Sequence, residues 1–380
     1  MGKGQREKKD RKQPHIALFI SALRKGGSER VLVNLAEYLK DNGVKVTVVT
    51  QYEGQGEYSL SPGIRRVFSE ITEEEKSRSR VMNFFRRFFK LRGIWKAERP
   101  DVILSFIGKN NLMALLTSSF LRIPVVISVR GEPKEEYYSG VLRFFAKTYF
   151  ARAAGVVLQT KEAMQFFPER IRKKAVILKN PLNPSFVRER FEGERERCIH
   201  AVGRMDANKN HEMILRAFAA LAADFPEVRL VIYGNGECRE PLIKLSEQLG
   251  LSERISLPGA VSDVADKIYR SSAFVLSSYS EGMPNTLIEA MCMGLPVIST
   301  DCPCGGPAEL IEDGVNGYLI PPGDGKALEE RLRLLLSDRE KAERMGRNAS
   351  KLLEEYRPEH VDRTWMDYLL SFLPPAESNR

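Results

Sequence analysis

The sequence predicts an α/β chain of two domains, each a parallel sheet covered by helices, and three observations carry that expectation. Short apolar runs alternate with helix-period segments from one end to the other, the pattern of strands joined by crossover helices. The alternation breaks once, at Asn180-Pro-Leu-Asn-Pro184 and the charged stretch 188–197, and then restarts. A chain of 380 residues is also longer than one hydrophobic core ordinarily organises.

Taken in order, the first half offers strands at 16–20, 44–50, 102–106, 125–129, 156–158 and 176–178, each a short apolar run. Helix-period segments lie between them at 29–40, 80–96, 111–120 and 142–153. Pro181 and Pro184 continue neither a helix nor a central strand, so this segment reads as the linker. After it come strands at 198–202, 229–233, 255–257, 274–276, 297–299 and 318–320. Helices are expected at 211–222 and 240–249, and the chain closes with helices at 326–336, 340–356 and 359–372. The last starts after Pro358 and carries Trp365, Tyr368, Leu369 and Phe372, an apolar stripe that must pack somewhere. The expected organisation is a disordered basic tail at 1–13, domains at 14–185 and 186–357, and a closing helix at 358–374.

Composition narrows the class. Hydrophobic residues make up 43% and charged residues 29%, ordinary for a globular enzyme. No run of apolar residues is long enough to span a membrane as a helix. The apolar run after the basic tail superficially imitates a secretory signal. Arg24 and Lys25 break it and no small-residue cleavage site follows, so a cytoplasmic location is expected. Cys198, Cys238, Cys292, Cys302 and Cys304 fit reduced thiols, and no second ligand pair stands near Cys302 and Cys304 at zinc spacing. The net charge of +9 admits nucleic acid, an anionic membrane or an anionic substrate, and no interleaved basic-aromatic nucleic-acid module is present.

Three motifs carry chemistry. Lys25-Gly-Gly-Ser-Glu-Arg30 follows the first strand, where Gly26 and Gly27 let backbone amides approach an anion; a tight strand-to-helix turn explains the same residues. It is not the Gly-x-Gly-x-x-Gly dinucleotide fingerprint. In Val202-Gly-Arg-Met-Asp-Ala-Asn-Lys-Asn210, Arg204 and Lys209 share a loop from which both reach one diphosphate, though solvated loop charges would look alike. In the third, Ser280-Glu-Gly-Met-Pro-Asn-Thr-Leu-Ile-Glu289, Pro284 suits a first helical position. The amides of Asn285, Thr286 and Leu287 would then point free, poised for phosphate. Glu289 projects from the same helix, and a carboxylate suits the vicinal hydroxyls of a ribose.

The Glu-x7-Glu element from Glu281 to Glu289 resembles the signature of the retaining family 4 glycosyltransferases. Gly203-Arg204 with Lys209, the Tyr233-Gly-Asn-Gly236 turn, and Gly305-Gly-Pro-Ala-Glu309 through Gly317 recur in that family's order. The likeness covers nearly the whole chain after the tail, and Gly26-Gly-Ser-Glu29 resembles the subgroup that extends polysaccharides or lipid-linked oligosaccharides. It implies the GT-B fold: two Rossmann-like domains facing a central cleft, nucleotide in the C-terminal domain and acceptor mainly on the N-terminal one. By the same resemblance Arg204 and Lys209 hold the diphosphate, Glu289 the ribose, and Glu281 hydroxyls of the transferred sugar. Gly27 touches phosphate from across the cleft. Donor contacts are expected from Gly26, Gly27, Gly203, Arg204, Lys209, Gly234, Glu281, Gly282, Met283, Pro284, Asn285, Thr286, Leu287 and Glu289. Glu281, Arg204 and Lys209 are the catalytic candidates.

One departure matters. Many relatives carry a histidine in an N-terminal-domain loop near the reacting carbon, whereas His15, His200, His211 and His360 all lie elsewhere. The corresponding loop here, Ser128-Val-Arg-Gly-Glu-Pro133, resembles the Ser-x-Arg-x-x-Pro form of the polysaccharide subgroup, which makes Arg130 and Glu132 acceptor-side candidates. No essential base is expected; the departing phosphate oxygen takes the acceptor proton. No Asp-x-Asp pair occurs, so no metal and no cofactor are expected.

Residues 76–96 hold eight basic residues and no acidic one, interleaved with Phe84, Phe85, Phe88, Phe89, Ile94 and Trp95. Helical spacing makes the aromatics the buried side of a domain helix, with arginines outward; with the basic tail, the patch is also where an anionic membrane would be met. The leading expectation is retaining transfer from a UDP-hexose or UDP-N-acetylhexosamine to a saccharide or lipid-linked saccharide, at the inner face of the cell membrane. A nucleotide-sugar epimerase of the same fold and a non-catalytic basic membrane- or nucleic-acid-binding protein compete with it.

Overall fold

The computed structural model describes residues 13–373; the basic tail, apart from Gln13, and residue 374 of the closing segment lie outside the described residues. In the first sheet β1 (His15–Ile20), β2 (Lys45–Thr50), β3 (Arg65–Phe68), β4 (Val102–Phe106), β5 (Val125–Ser128), β6 (Gly155–Leu158) and β7 (Ala175–Ile177) stand in the order β3-β2-β1-β4-β5-β6-β7. In the second, β8 (Glu196–Val202), β9 (Arg229–Tyr233), β10 (Ile255–Gly259), β11 (Ser271–Leu276), β12 (Val297–Thr300) and β13 (Tyr318–Ile320) stand in the order β10-β9-β8-β11-β12-β13. Every strand pairing within these sheets is parallel. This is the two-domain α/β architecture expected.

Parallel strands buried on both faces explain why the apolar runs are continuous. Along β1, Ile16, Leu18 and Ile20 enter one apolar layer while Ala17 and Phe19 enter the layer on the other face. The strand order reverses between β1 and β4 in the first sheet and between β8 and β11 in the second. Crevices at the carboxyl ends of strands at such switch points are where open α/β sheets bind ligands.

The helix Pro358–Leu370 returns to the first sheet. Its Val361, Trp365 and Leu369 join the layer formed by Ile16, Leu18 and Leu32, and the Trp365 indole N–H donates to the Lys179 carbonyl over 2.9 Å. Gly155 makes room for this helix, since a Cβ there would stand 2.2 Å from Tyr368 Oη. Asp362 is buried on the same helix, its Oδ1 has no hydrogen-bond partner among the described residues, and burial pushes its carboxyl up to about 7. The folded value exceeds the ordinary 3.8, so this group's contribution to stability is full below pH 3.8 and is lost as pH rises through about 7. Asp362→Asn is accordingly expected to raise the melting temperature at alkaline pH, with a gain that vanishes in acid, as calorimetry across pH would show.

Two features differ from expectation. β3, Arg-Arg-Val-Phe, escapes the apolar-run criterion because it is a short edge strand paired only with β2. The helix Arg80–Glu98 buries only Leu91 and Trp95, the latter edge-on to Phe19. Phe84, Phe85 and Phe89 are exposed, at 44%, 49% and 64%, which corrects the expected burial of that face. Among the described residues no layer covers the amino-terminal half of the helix, and its phenylalanines contact one another in pairs.

Candidate active site

The two sheets present their strand ends to a shared cleft of about 670 Å³. On the C-terminal side, the loop after β8 runs against the turn after β9. Gly234 has φ +146°, and a Cβ there would lie 1.8 Å from the Gly203 carbonyl oxygen, so only glycine fits both the dihedral and the approach. This close stacking aims the next residues of the β8 loop into the cleft. Asp206 caps a one-turn 3₁₀ helix, Ala207–Lys209, by accepting the Lys209 N–H over 3.1 Å. Lys209 forms an ion pair with Glu281, whose Oε1 also accepts from Ser278 Oγ at 2.6 Å. Arg204 is different: its side chain is 75% exposed, and among the described residues its one ion pair is with Asp206 at 3.3 Å. A nearly unpartnered guanidinium is free to swing onto an incoming anion.

The loop after β11 leads into the helix Asn285–Cys292. Pro284 is its N-cap, one position earlier than expected, and the Leu287 N–H donates to the Pro284 carbonyl at 3.1 Å. Leu287 is therefore not a phosphate donor; it is fully buried in the apolar layer beneath β11. The amides of Asn285 and Thr286, which line the cleft, remain without a partner among the described residues. Glu289, a turn further on, is buried and paired with Arg30 of the N-terminal side. Burial pushes its carboxyl up, and the Arg30 charge opposes that shift.

On the N-terminal side, Gly26 caps the helix Gly27–Asp41. Asn285 Nδ2 donates to the Gly27 carbonyl at 3.3 Å, and a Gly27 Cβ would meet that amide at 2.9 Å. Two helix amino ends thus face each other across the cleft, which favours an anion between them. The loop after β5 supplies Arg130, whose carbonyl packs on Gly282: a Cβ on Gly282 would stand 2.3 Å from the Arg130 oxygen. The Arg130 guanidinium is buried over the Phe106 ring and donates from Nη2 to Asn180 Oδ1 at 2.6 Å; burial pulls it down to about 10. Glu132 caps the short helix after it and accepts from the Lys134 N–H.

All the predicted site residues except Leu287 and Glu289 border the cleft directly. Several functional positions carried no signal in the sequence. Asn180, inside the segment read as a linker, accepts from Arg130 and Gln159 and donates to Asn285 at 2.6 Å, tying the β5 loop to the C-terminal helix. Glu136 holds the β5 loop by accepting the N–H groups of Gly108, Arg130 and Gly131. His200 and His211 stay out of the cleft; burial pulls both down to about 4. Burial also pushes the Cys302 and Cys304 thiols up to about 12, which fits inert packing residues.

Comparison with known proteins places the chain in a family. The profile of glycosyl transferases group 1 covers residues 185–352 and that of glycosyltransferase family 4 covers 25–186. The chain belongs to the family 4 glycosyltransferases and has their GT-B fold. One relative is the Campylobacter jejuni GalNAc-alpha-(1->4)-GalNAc-alpha-(1->3)-diNAcBac-PP-undecaprenol alpha-1,4-N-acetyl-D-galactosaminyltransferase, 28% identical over 92% of this chain and 97% of that protein. Another is the amylovoran biosynthesis glycosyltransferase AmsD of Erwinia amylovora, 25% identical over 90% and 96%. Among solved structures, Anabaena HepE in complex with UDP and glucose superposes with a TM-score of 0.80 at 18% identity, over 94% of this chain and all of that one. The protein is a glycosyltransferase, and neither the epimerase nor the basic binding protein is favoured by these likenesses.

Proposed function

We propose that the protein is a retaining, metal-independent transferase that moves a hexose or N-acetylhexosamine from a UDP-sugar to a lipid-linked saccharide. The observation that carries this reading is the Lys209–Glu281 pair beside the free amides of Asn285 and Thr286. The amides and Lys209, with Arg204 swinging in, meet the charge that grows on the diphosphate as its bond to the anomeric carbon breaks. Glu281 accepts from hydroxyls of the transferred sugar, and Glu289 accepts from the ribose diol. Of the carboxylates that line the cleft, Glu281 is engaged by Lys209 and Ser278 and Glu132 by the Lys134 N–H, while Glu135 has no side-chain partner among the described residues. The acceptor hydroxyl then attacks the face from which the diphosphate leaves. The carbon–oxygen bond to phosphate breaks as the new glycosidic bond forms, and the acceptor proton passes to the departing phosphate oxygen. Retention follows.

The lipid-linked acceptor is supported by the Campylobacter relative named above, and by a second from that organism that acts on a diphospho-undecaprenol substrate. It is also supported by the uncovered face. Phe84 and Val141 line a groove of about 570 Å³, with Phe85, Phe89 and Phe144 exposed beside it and eight basic residues along 76–96. Such a face suits an anionic lipid surface at the cytoplasmic side of the membrane. Among the described residues no helix is long and apolar enough to cross it.

The test is to incubate the protein with α-linked UDP-sugars and diphospho-polyprenyl saccharides in EDTA and determine the anomer by NMR. An α-linked product at full rate is expected; a β-linked product, or activity abolished by the chelator, would refute the retaining or metal-free reading. In parallel, Phe85→Ser/Phe89→Ser is expected to lose most cosedimentation with phosphatidylglycerol vesicles while keeping UDP binding. Unchanged sedimentation would remove this face from the account.

A further inference from the structure

Arg30 has no role in the reaction described above, yet among the described residues it makes the single charged contact to a buried carboxylate of the opposite domain. It lies one turn into the helix Gly27–Asp41, on the same face as Gly27, and lines the cleft. Its Nη2 donates to Glu289 Oε1, with side-chain exposures of 19% and 4% respectively. The two residues stand 259 positions apart and come from different domains. A carboxylate this deeply buried is costly to keep ionised without a cation beside it.

We propose that Arg30 is a positioning residue for the donor: it reaches across the cleft to keep Glu289 charged and oriented to accept from the ribose diol. The inference rests on the assignment of the ribose to Glu289 made above. Its consequence is that the nucleotide site in the C-terminal domain is complete only when the N-terminal helix is in place, so donor affinity reports on domain closure. The groups facing Glu289 bear this out. Arg30 favours its ionised form, while the Tyr58 hydroxyl from the N-terminal side and the Cys292 thiol on its own helix are neutral at physiological pH. Glu29, the other nearby acid, is sensed by Tyr58 and is itself pushed up by burial. Arg30 is thus the one cation that acts on Glu289 among the described residues.

With Arg30 gone, nothing offsets burial, and Glu289 takes up a proton as pH falls. A protonated acid accepts fewer hydrogen bonds from a diol, so affinity drops in acid. The experiment is calorimetric titration of UDP into the full chain from about pH 5.5 to about pH 8.5, each variant read as a ratio to wild type, which cancels the titration of UDP's own phosphate. Arg30→Met is expected to give a ratio that worsens by up to about tenfold for each pH unit toward acid. Arg30→Lys is expected to restore a flat ratio. Glu289→Gln is expected to bind weakly with a flat ratio, and Arg30→Met in that background to add nothing; this double variant leaves no lone buried charge and serves if Arg30→Met folds poorly. A flat ratio for Arg30→Met, or a further loss in the double variant, overturns the proposal and leaves Arg30 a simple closure contact. Wild-type affinity in Glu289→Gln instead overturns the ribose assignment beneath it.

Discussion

Replacing Lys209 with methionine is expected to lower kcat by roughly 10²- to 10³-fold, the loss typical when one preorganised charge is removed from a developing anion. The effect has two sources in this site. The variant removes a cation aimed at the leaving diphosphate, and it strands Glu281, which keeps only the Ser278 hydroxyl. A half-buried carboxylate without its partner repels the diphosphate, so KM for the donor should rise along with the fall in kcat. The size of the effect separates Lys209 from Arg204. Arg204 is largely exposed before the donor arrives, and its partner Asp206 still accepts the Lys209 N–H when Arg204 is removed, so Arg204→Met should lose turnover with little loss of thermal stability. Steady-state kinetics with a saturating acceptor, alongside calorimetric melting, measures both. Near-wild-type turnover in Lys209→Met would mean that the diphosphate is held elsewhere.

Gly282→Ala is expected to cost roughly 10²-fold in kcat/KM for the acceptor, the penalty that a displacement of about 1 Å imposes on a positioned reaction. The added Cβ would stand 2.3 Å from the Arg130 carbonyl oxygen, and that atom is backbone, so the domains must part or the β5 loop must shift. The donor groups of the C-terminal side, Lys209, Asn285 and Thr286, are untouched by the substitution. UDP binding should therefore fall far less than transfer, by no more than loss of the Arg30–Glu289 contact across the cleft would cost. That split distinguishes the site from one built within a single domain, where both would fall together.

Much of this site was legible in the sequence because its elements are local. The alternation of apolar runs placed most strands within a residue or two, since strands buried on both faces need no neighbour to be recognised. Arg204, Lys209, Glu281 and Glu289 could be singled out because charges of fixed spacing sit on loops and helix starts at strand ends. What escaped was pairing. The Arg30–Glu289 contact joins residues far apart in the chain, and no periodicity announces it. Asn180 read as part of a break, because its prolines describe what the backbone cannot do and not what the amide holds. Leu287 was misread because the first turn closes tightly: its N–H donates three residues back to the Pro284 carbonyl instead of pointing free. The phenylalanines of Arg80–Glu98 had the spacing of a buried face, yet spacing says nothing about whether a neighbouring layer exists to cover it.

The most direct test of the central claim, that the cleft between the two sheets holds a nucleotide diphosphate donor, is a thermal-shift panel. UDP-, GDP- and ADP-sugars are offered to wild type and to Glu289→Ala in the presence of EDTA. A ligand that binds only the folded state raises the melting temperature by mass action. The account predicts a shift with the UDP-sugars that disappears in Glu289→Ala, while the melting temperature of the unliganded variant stays close enough to wild type to show that it is folded. No shift with any nucleotide family, or an undiminished shift in Glu289→Ala, would contradict it.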